Sequence, residues 1–202
     1  RKSETERMAQ RLHPVVGEAL RLLRSTLPPM VELKPVIDEN TPPVLADSTQ
    51  IHQVVLNLCT NAWHAMPNGG EIAVTLDAVT LTPDDAASNP DLRPGRWVRL
   101  TIADQGNGMD AATIEHIFEP FFTTKGTGIG TGLGLAVVHG IVQSHEGLIT
   151  VRSTVGEGST FELYFPVAPE DVAPAEPAPL EIPLGRGEHI LVVDDDNVCG
   201  FA

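Results

Sequence analysis

The glycine-rich stretch between Phe118 and Val142 constrains this chain more than any other part of the sequence. Glycine occupies every second position there, at 126, 128, 130, 132 and 134. Such spacing leaves the backbone free to adopt positive φ and to approach a ligand without a Cβ clash. Helical spacing of apolar residues follows, from Leu133 to Ile141, and predicts a helix that runs to about His145. Because the N–H groups at a helix N-terminus lack partners, this pattern predicts a phosphate site.

Two familiar glycine motifs are absent from the chain. The P-loop spacing fails because none of the three lysines, Lys2, Lys34 and Lys125, completes it. The dinucleotide-binding spacing fails because positions 131, 133 and 135 are not glycine. Phe118, Phe121 and Phe122 precede the glycines and indicate the apolar anchor of a hinged lid. A plain surface loop with a helix behind it is the alternative for this stretch. As a lid, residues 125–130 should become ordered only with nucleotide bound.

Composition limits the partners that the chain can have. A net charge of −14 argues against broad contact with nucleic acid or an anionic membrane. Any polyanionic ligand must therefore be held locally, by backbone amides, a metal ion and a few cations. Two cysteines fit a reducing cytoplasmic setting, and neither an 18-residue apolar run nor a signal peptide is present. The N-terminal arginine indicates a fragment, whose parent could still be anchored in the inner membrane.

Periodicity predicts an α+β fold, a two-layer α/β sandwich with a mixed sheet packed against three helices. The first ten residues are polar and suggest a frayed helix end. The predicted helices cover residues 15–26, 49–66, 111–117 and the glycine-fed segment. The predicted strands cover residues 31–37, 44–46, 71–81, 97–103, 148–153 and 159–166.

Polar side chains at three points carry candidate chemistry. Asn57, Asn61 and His64 share one face of a predicted helix. An amide oxygen there could ligate Mg²⁺, although capping or solvent exposure is as plausible for an isolated pair. Asp104 ends a strand before Gly-x-Gly; it fits a turn, but a carboxylate also suits the exocyclic amino group of adenine. Lys125 could reach a terminal phosphate, or be an ordinary surface lysine.

Taken together, four segments resemble the sequence boxes of sensor histidine kinases. Asn57-Leu-Cys-Thr-Asn61-Ala resembles their asparagine box, and Asp104-x-Gly106-x-Gly108 resembles their first glycine box. FEPFFTTK, ending at Lys125, resembles their phenylalanine box, and Gly130-Thr-Gly-Leu-Gly-Leu resembles the second glycine box. The order and spacing match from about Val15 to Pro166. The residues in these boxes most resemble those of the nitrogen-regulation-type kinases.

The resemblance implies the Bergerat ATP-binding fold of the GHKL superfamily, with ATP and Mg²⁺ as ligands. Asn61 would ligate the metal, and Asn57, His64 and Lys125 would act near the phosphates. Asp104 would hold the adenine amino group, and Ser159 would join the adenine side through water. The remaining implied nucleotide-binding residues shape the pocket floor or bind phosphates: Gly106, Gly108, Gly130, Thr131, Gly132, Leu133 and Gly134.

The ends of the chain resemble pieces of other domains. Residues 1–14 would end a dimerisation or linker region, and the Ala/Pro-rich residues 167–187 would form a linker. Residues 188–202, with an apolar strand and Asp194-Asp195-Asp196, resemble the start of a response-regulator receiver. The expected parent is therefore a homodimeric hybrid kinase, and the partners of this domain are its own dimerisation domain and a receiver.

The chain differs from complete sensor histidine kinases in one respect that limits its expected activity. None of the seven histidines lies in the His-Glu-x-x-Asn-Pro-like box of a phospho-acceptor. The expected reaction is therefore γ-phosphoryl transfer to a histidine outside this chain. Two rivals remain, an ATP hydrolase of the same superfamily and a nucleotide-sensing pseudokinase. The hydrolases keep a glutamate where this chain has Asn57, which cannot act as a general base.

Overall fold

The computed structural model describes residues 7–84, 93–124 and 131–169. The helices described in full are α1 (Leu12–Thr26), α2 (Ser48–His64), α3 (Ala111–His116) and α4 (Gly134–Ser144). The described strands are β1 (Met8–Gln10), β2 (Val31–Ile37), β3 (Val44–Ala46), β4 (Gly70–Leu81), β5 (Gly95–Asp104), β6 (Leu148–Thr154) and β7 (Gly158–Pro166).

The main sheet has five strands in the order β2-β4-β5-β7-β6. Strands β2 and β4 are parallel, and every other neighbouring pair is antiparallel, so the sheet is mixed. Helix α2 lies between α1 and α4 and packs with them against one face of the sheet. The predicted two-layer sandwich of a mixed sheet and three helices is confirmed.

Helix α2 shows how local sequence builds this layer. Asp47 caps its N-terminus, since one carboxylate oxygen accepts from the N–H groups of Thr49 at 2.8 Å and Gln50 at 3.3 Å. Its buried side chains recur at helical spacing on the sheet-facing side, and they are Ile51, Val54, Val55, Leu58, Cys59 and Ala62. The asparagines at 57 and 61 are therefore left on a different face of the helix.

The N-terminal region differs from the sequence expectation. Residues 8–10 form strand β1, which pairs with β3, where a frayed helix end was expected. Helix α1 begins at Leu12 and not at Val15, because Pro14 falls in its first turn, where a missing N–H costs nothing. Ala9 and Leu12 are buried, so this segment packs with the domain ahead of the expected boundary. At the other end, the N–H of Ala168 donates to the Pro43 carbonyl, just beyond the expected boundary at Pro166.

In the part of the chain that the structure describes, no helix is long and apolar enough to cross a membrane.

Candidate functional site

A cavity of about 390 Å³ opens between α2, α4, the end of β5 and strand β7. The predicted site residues among its lining are Asn57, Asn61, His64, Asp104, Thr131, Gly132, Gly134 and Ser159. A larger hollow of about 630 Å³ lies between the end of α1 and strands β2 and β4, and no predicted site residue lines it. The smaller cavity is therefore the candidate site.

Helix α2 supplies one wall of this cavity. Asn57, Asn61 and His64 all line it, as expected for positions one and two turns apart. The side-chain amide of Asn57 donates to the backbone carbonyl of Gly134 at 3.5 Å. A Cβ placed on Gly134 would lie 3.6 Å from the Asn61 amide nitrogen, which is ordinary van der Waals contact. The start of α4 thus lies directly against the two asparagines.

Asp104 also lines the cavity, where the turn that follows it lies against Ala65 at the C-terminal end of α2, and it is only 9% exposed. One of its carboxylate oxygens accepts from the Gly106 N–H at 2.8 Å. Burial raises the pKa of Asp104, and the backbone N–H groups of Gly106 and Ser159 act in the opposite direction. A desolvated carboxylate of this kind is a strong acceptor for a ligand N–H group.

The turn from Asp104 to Met109, hereafter the Asp104 turn, needs its glycines for close packing. A Cβ on Gly106 would lie 2.7 Å from the Ala65 side chain at the end of α2. Gly108 has a φ of +64°, and a Cβ there would lie 1.9 Å from the Thr154 carbonyl oxygen. Neither glycine is among the lining residues, so both shape the turn without facing the cavity.

The other end of the cavity, hereafter the helix end, comprises Gly132, Leu133 and the start of α4. Gly132 has a φ of +66°, and its carbonyl accepts from the Phe121 N–H at 2.9 Å. Phe121 itself has a φ of +69° and a side chain that is 73% exposed. The N-cap residue Leu133 makes no side-chain cap, and within the described residues no side chain bonds the first N–H groups of α4, which is the arrangement that suits an anion.

The remaining predicted residues lie beside the cavity, outside the described residues, or in the segment before the glycines. Leu133 adjoins the cavity as the N-cap of α4 but does not line it. Lys125 and Gly130, with the predicted lid between them, lie outside the described residues. Phe118 does anchor the segment before the glycines, because its ring stacks on His139 of α4 at 4.9 Å, whereas Phe121 does not, because it is 73% exposed.

Several lining residues escaped the sequence analysis. Met109 directly follows Gly108, and Phe161 is two residues beyond Ser159 on the same face of β7, so position alone was a usable signal for both. Thr60 shares the asparagine face of α2 and could have been found in the same way. Thr113 carried no such signal, because α3 is too short to show a periodic pattern.

Metal binding at this cavity would depend on amide and ligand oxygens. Within the described residues, no group of three or more His, Cys, Asp or Glu side chains could hold a metal ion. Asn61 offers one amide oxygen beside the start of α4. Because Mg²⁺ is commonly held by one or two protein oxygens together with phosphates and water, this donor set fits Mg²⁺ better than a transition metal.

Comparison with known proteins gives concordant matches. The family described as "Histidine kinase-, DNA gyrase B-, and HSP90-like ATPase" matches residues 46–169. The sensor kinase CckA of Brucella abortus is 40% identical over 197 residues, which cover 92% of this chain and 20% of CckA. The sensor histidine kinase ZraS of Escherichia coli K12 is 39% identical over 137 residues, which cover 68% of this chain and 26% of ZraS.

Among solved structures, the nucleotide-free catalytic domain of histidine kinase ThkA matches with a TM-score of 0.64 and 29% identity. The match covers 80% of this chain and 96% of that domain. By contrast, the chain spans only 20% and 26% of the lengths of the two curated relatives.

Proposed function

The chain belongs to the histidine kinase-, DNA gyrase B- and HSP90-like ATPase family, and on that premise we propose that it is the ATP-binding catalytic domain of a two-component sensor histidine kinase. The observation that carries the proposal is the single cavity that joins Asn57 and Asn61 of α2, the start of α4 and the buried Asp104. Such a cavity offers an acceptor for a base at Asp104 and, at the start of α4, a helix N-terminus that no described side chain caps and that suits phosphates.

Each end of the cavity takes a different part of ATP in this proposal. Asp104 accepts from the exocyclic amino group of adenine, with Ser159 beside it and Gly106 and Gly108 holding the turn. At the helix end, the backbone of Gly130, Thr131, Gly132, Leu133 and Gly134 binds the phosphates. Asn57, His64 and Lys125 act beside the phosphates, where transfer takes place.

Asn61 is the protein ligand for Mg²⁺ in this proposal. When bound, the ion neutralises charge on the phosphate oxygens during transfer. Asn61 holds its place for this role because α2 is fixed at its N-terminus by Asp47 and on its buried face by the core. The adjacent Asn57 is oriented by its hydrogen bond to the Gly134 carbonyl.

The reaction is transfer to a histidine and not hydrolysis. A neutral imidazole nitrogen attacks the γ-phosphorus, the bond to the β–γ bridging oxygen breaks, and ADP leaves with that electron pair. Among the residues that line the cavity in the described part of the chain, Asp104 is the only carboxylate. It is buried in the turn and bonded to Gly106, so it is a poor base for activating water at the helix end.

The rest of the proposal concerns the protein beyond this domain. We infer that the parent is a homodimeric hybrid kinase of the nitrogen-regulation type, in the cytoplasm or anchored in the inner membrane with this domain in the cytoplasm. Residues 1–14 would end its dimerisation region. Residues 15–166 are then the catalytic domain, 167–187 a linker and 188–202 the start of a receiver. The alignment with CckA covers 92% of the chain and so extends beyond the family match at residues 46–169. This supports the proposal that the segments flanking the catalytic domain belong to the same kind of multidomain kinase.

Calorimetric titration of the 202-residue chain with ATP tests the binding half of this proposal. We expect binding that is stronger with Mg²⁺ than without it, and much weaker binding of GTP. Absence of nucleotide binding would overturn the proposal. Tight binding without transfer to an added histidine-bearing dimerisation hairpin would favour the pseudokinase alternative.

A further inference from the structure

The Asp104 turn is held by side-chain and backbone contacts from the β6–β7 hairpin. The Asn107 carbonyl accepts from the Gly156 N–H at 2.8 Å, and Gly108 lies against the Thr154 carbonyl. The Met109 N–H donates to the hydroxyl of Ser153 at 2.8 Å, across 44 residues of sequence. Ser153 is thus the side chain in the hairpin that joins it to the lining residue Met109.

The hydroxyl of Ser153 makes three hydrogen bonds with different roles. It accepts from the Met109 N–H, and it donates its only proton to the Gly158 carbonyl at 2.8 Å. Its oxygen also lies 3.0 Å from the hydroxyl oxygen of Ser159. Because a serine hydroxyl has one proton and two lone pairs, the remaining bond requires Ser159 to be the donor.

This assignment fixes what Ser159 can offer to a ligand. Its proton is directed at Ser153, so only its lone pairs are left for the cavity that Ser159 lines. Ser159 also pairs directly with Asp104 across β5 and β7. An ionised carboxylate accepts only, so two neighbouring groups present acceptors and neither presents a donor.

We infer that Ser153 is a positioning residue for base selection: it fixes the Asp104 turn and directs the Ser159 hydroxyl so that both Ser159 and Asp104 act as acceptors. A base with an amino group at this place supplies matching donors, directly or through water. A base with a carbonyl there meets two acceptors and is rejected. The inference rests on the proposed function, since it requires that the cavity takes an adenine nucleotide.

Loss of the Ser153 hydroxyl should therefore change selectivity as well as affinity. Without it, the Met109 N–H loses its partner and the Ser159 hydroxyl is free to rotate and donate toward a carbonyl. We expect the dissociation constant of ADP to rise about tenfold, with a smaller rise for GDP. The ratio of the two constants, and not the ADP affinity alone, reports the positioning role.

The experiment compares Ser153→Thr with Ser153→Val in the 202-residue chain. These side chains have nearly the same shape and both suit a strand, so they differ mainly in the hydroxyl. Calorimetry with ADP and GDP should show wild-type selectivity in Ser153→Thr and reduced selectivity in Ser153→Val. Thr160→Val removes a hydroxyl from the other face of β7 and should leave the ratio unchanged.

A double variant tests whether Ser153 acts through the hydroxyl of Ser159. With Ser159→Ala already present, Ser153→Val should cause no further change in the GDP-to-ADP ratio, because the hydroxyl that Ser153 directs is gone. If Ser153→Val lowers the melting temperature but weakens ADP and GDP equally, Ser153 is only structural and the inference is overturned. Unchanged affinities for ADP and GDP in Ser153→Val would also overturn the inference. The proposed function would still stand in that case, because the wild-type chain would bind ADP. If the wild type binds neither nucleotide, the proposed function itself fails.

Discussion

The two ends of the cavity are built in different ways. The Asp104 turn is bonded to α2 through the Asn107 N–H and the Ala65 carbonyl, and to the hairpin through Met109 and Gly156. At the helix end, the backbone bond between Phe121 and Gly132 joins two loop residues, and Phe121 exposes its side chain. On the proposed function, this difference leads us to expect a base site that is formed in advance and a phosphate site that adjusts to its ligand.

The largest expected effect comes from substituting the two glycines with positive φ, which are Gly108 in the Asp104 turn and Gly132 at the helix end. Gly108→Ala should lower the free energy of unfolding by roughly 2–5 kcal/mol, because it adds φ strain and a clash with the hairpin backbone. Gly132→Ala also adds φ strain and places its Cβ 2.4 Å from the Phe121 backbone, but it should cost less, roughly 1–3 kcal/mol, because relief requires a shift of a loop and not of a paired hairpin. Urea titration of both variants measures the difference.

Gly17→Ala is the control for these two variants. Gly17 lies in α1 with nothing within 4 Å of a placed Cβ, so the variant should be as stable as the wild type or slightly more stable. Equal losses from Gly108→Ala and Gly132→Ala would mean that the two ends are equally rigid.

The next effect tests whether the Asp104 turn selects the base. Asp104→Asn should weaken ATP by ~1.5–3 kcal/mol, the usual size of a hydrogen bond to a charged group. Discrimination against GTP should also narrow, because an amide can donate to a carbonyl. Competition calorimetry with both nucleotides checks this, with Glu18→Gln on the exposed side of α1 as the matched loss of charge. Retained discrimination would place the base elsewhere.

A smaller effect is expected at the helix end. Asn61→Ala should reduce the affinity for ATP with Mg²⁺ about tenfold, to the level seen without the ion. The folding free energy should change little, because Asn61 is only half-buried and lines the cavity. Asn40→Ala, in the exposed loop after β2, controls for loss of an amide. Equal affinities with Mg²⁺ in mutant and wild type would remove Asn61 from the metal site.

The smallest effect concerns the far end of α4, where His145 is 2% exposed. Its Nε2 accepts from the Asp47 N–H at 3.1 Å and its Nδ1–H donates to the Ile141 carbonyl at 2.7 Å, which requires the neutral ring. Burial lowers its pKa below the ordinary 6.5, and the Arg7 charge acts in the same direction, against Asp47. The unfolded chain therefore binds the proton more readily, so stability is complete above pH 6.5 and falls below it.

Thermal melting between pH 7.5 and pH 5 checks this expectation. His145→Gln should lose part of the dependence on pH, whereas His139→Gln, on the same helix, should keep it. Nucleotide affinity at the helix end should follow the pH less than stability does, because His145 caps the opposite end of α4. An unchanged slope in His145→Gln would assign the acid sensitivity to other groups.

The sequence predicted the elements with strong periodicity and missed contacts that depend on the third dimension. Helix α2 and its two faces follow from the spacing of Ile51, Val54 and Asn57, and the strands agree within two residues. Strand β1 has only three residues, too few for a period, and forms only because β3 lies beside it. The link from Ser153 to Met109 joins two segments far apart in sequence, and no local pattern predicts such a pair.

The most direct test of the central claim is incubation of the chain with γ-labelled ATP, with and without a histidine-bearing dimerisation hairpin from the same full-length protein. In the proposed function the chain supplies both ends of an ATP site, and none of its seven histidines lies in a phospho-acceptor box, so we predict no label on the chain itself. Adding the hairpin should give label on the hairpin that is stable in base and lost in acid. Stoichiometric acid-labile label on the chain alone would contradict the account.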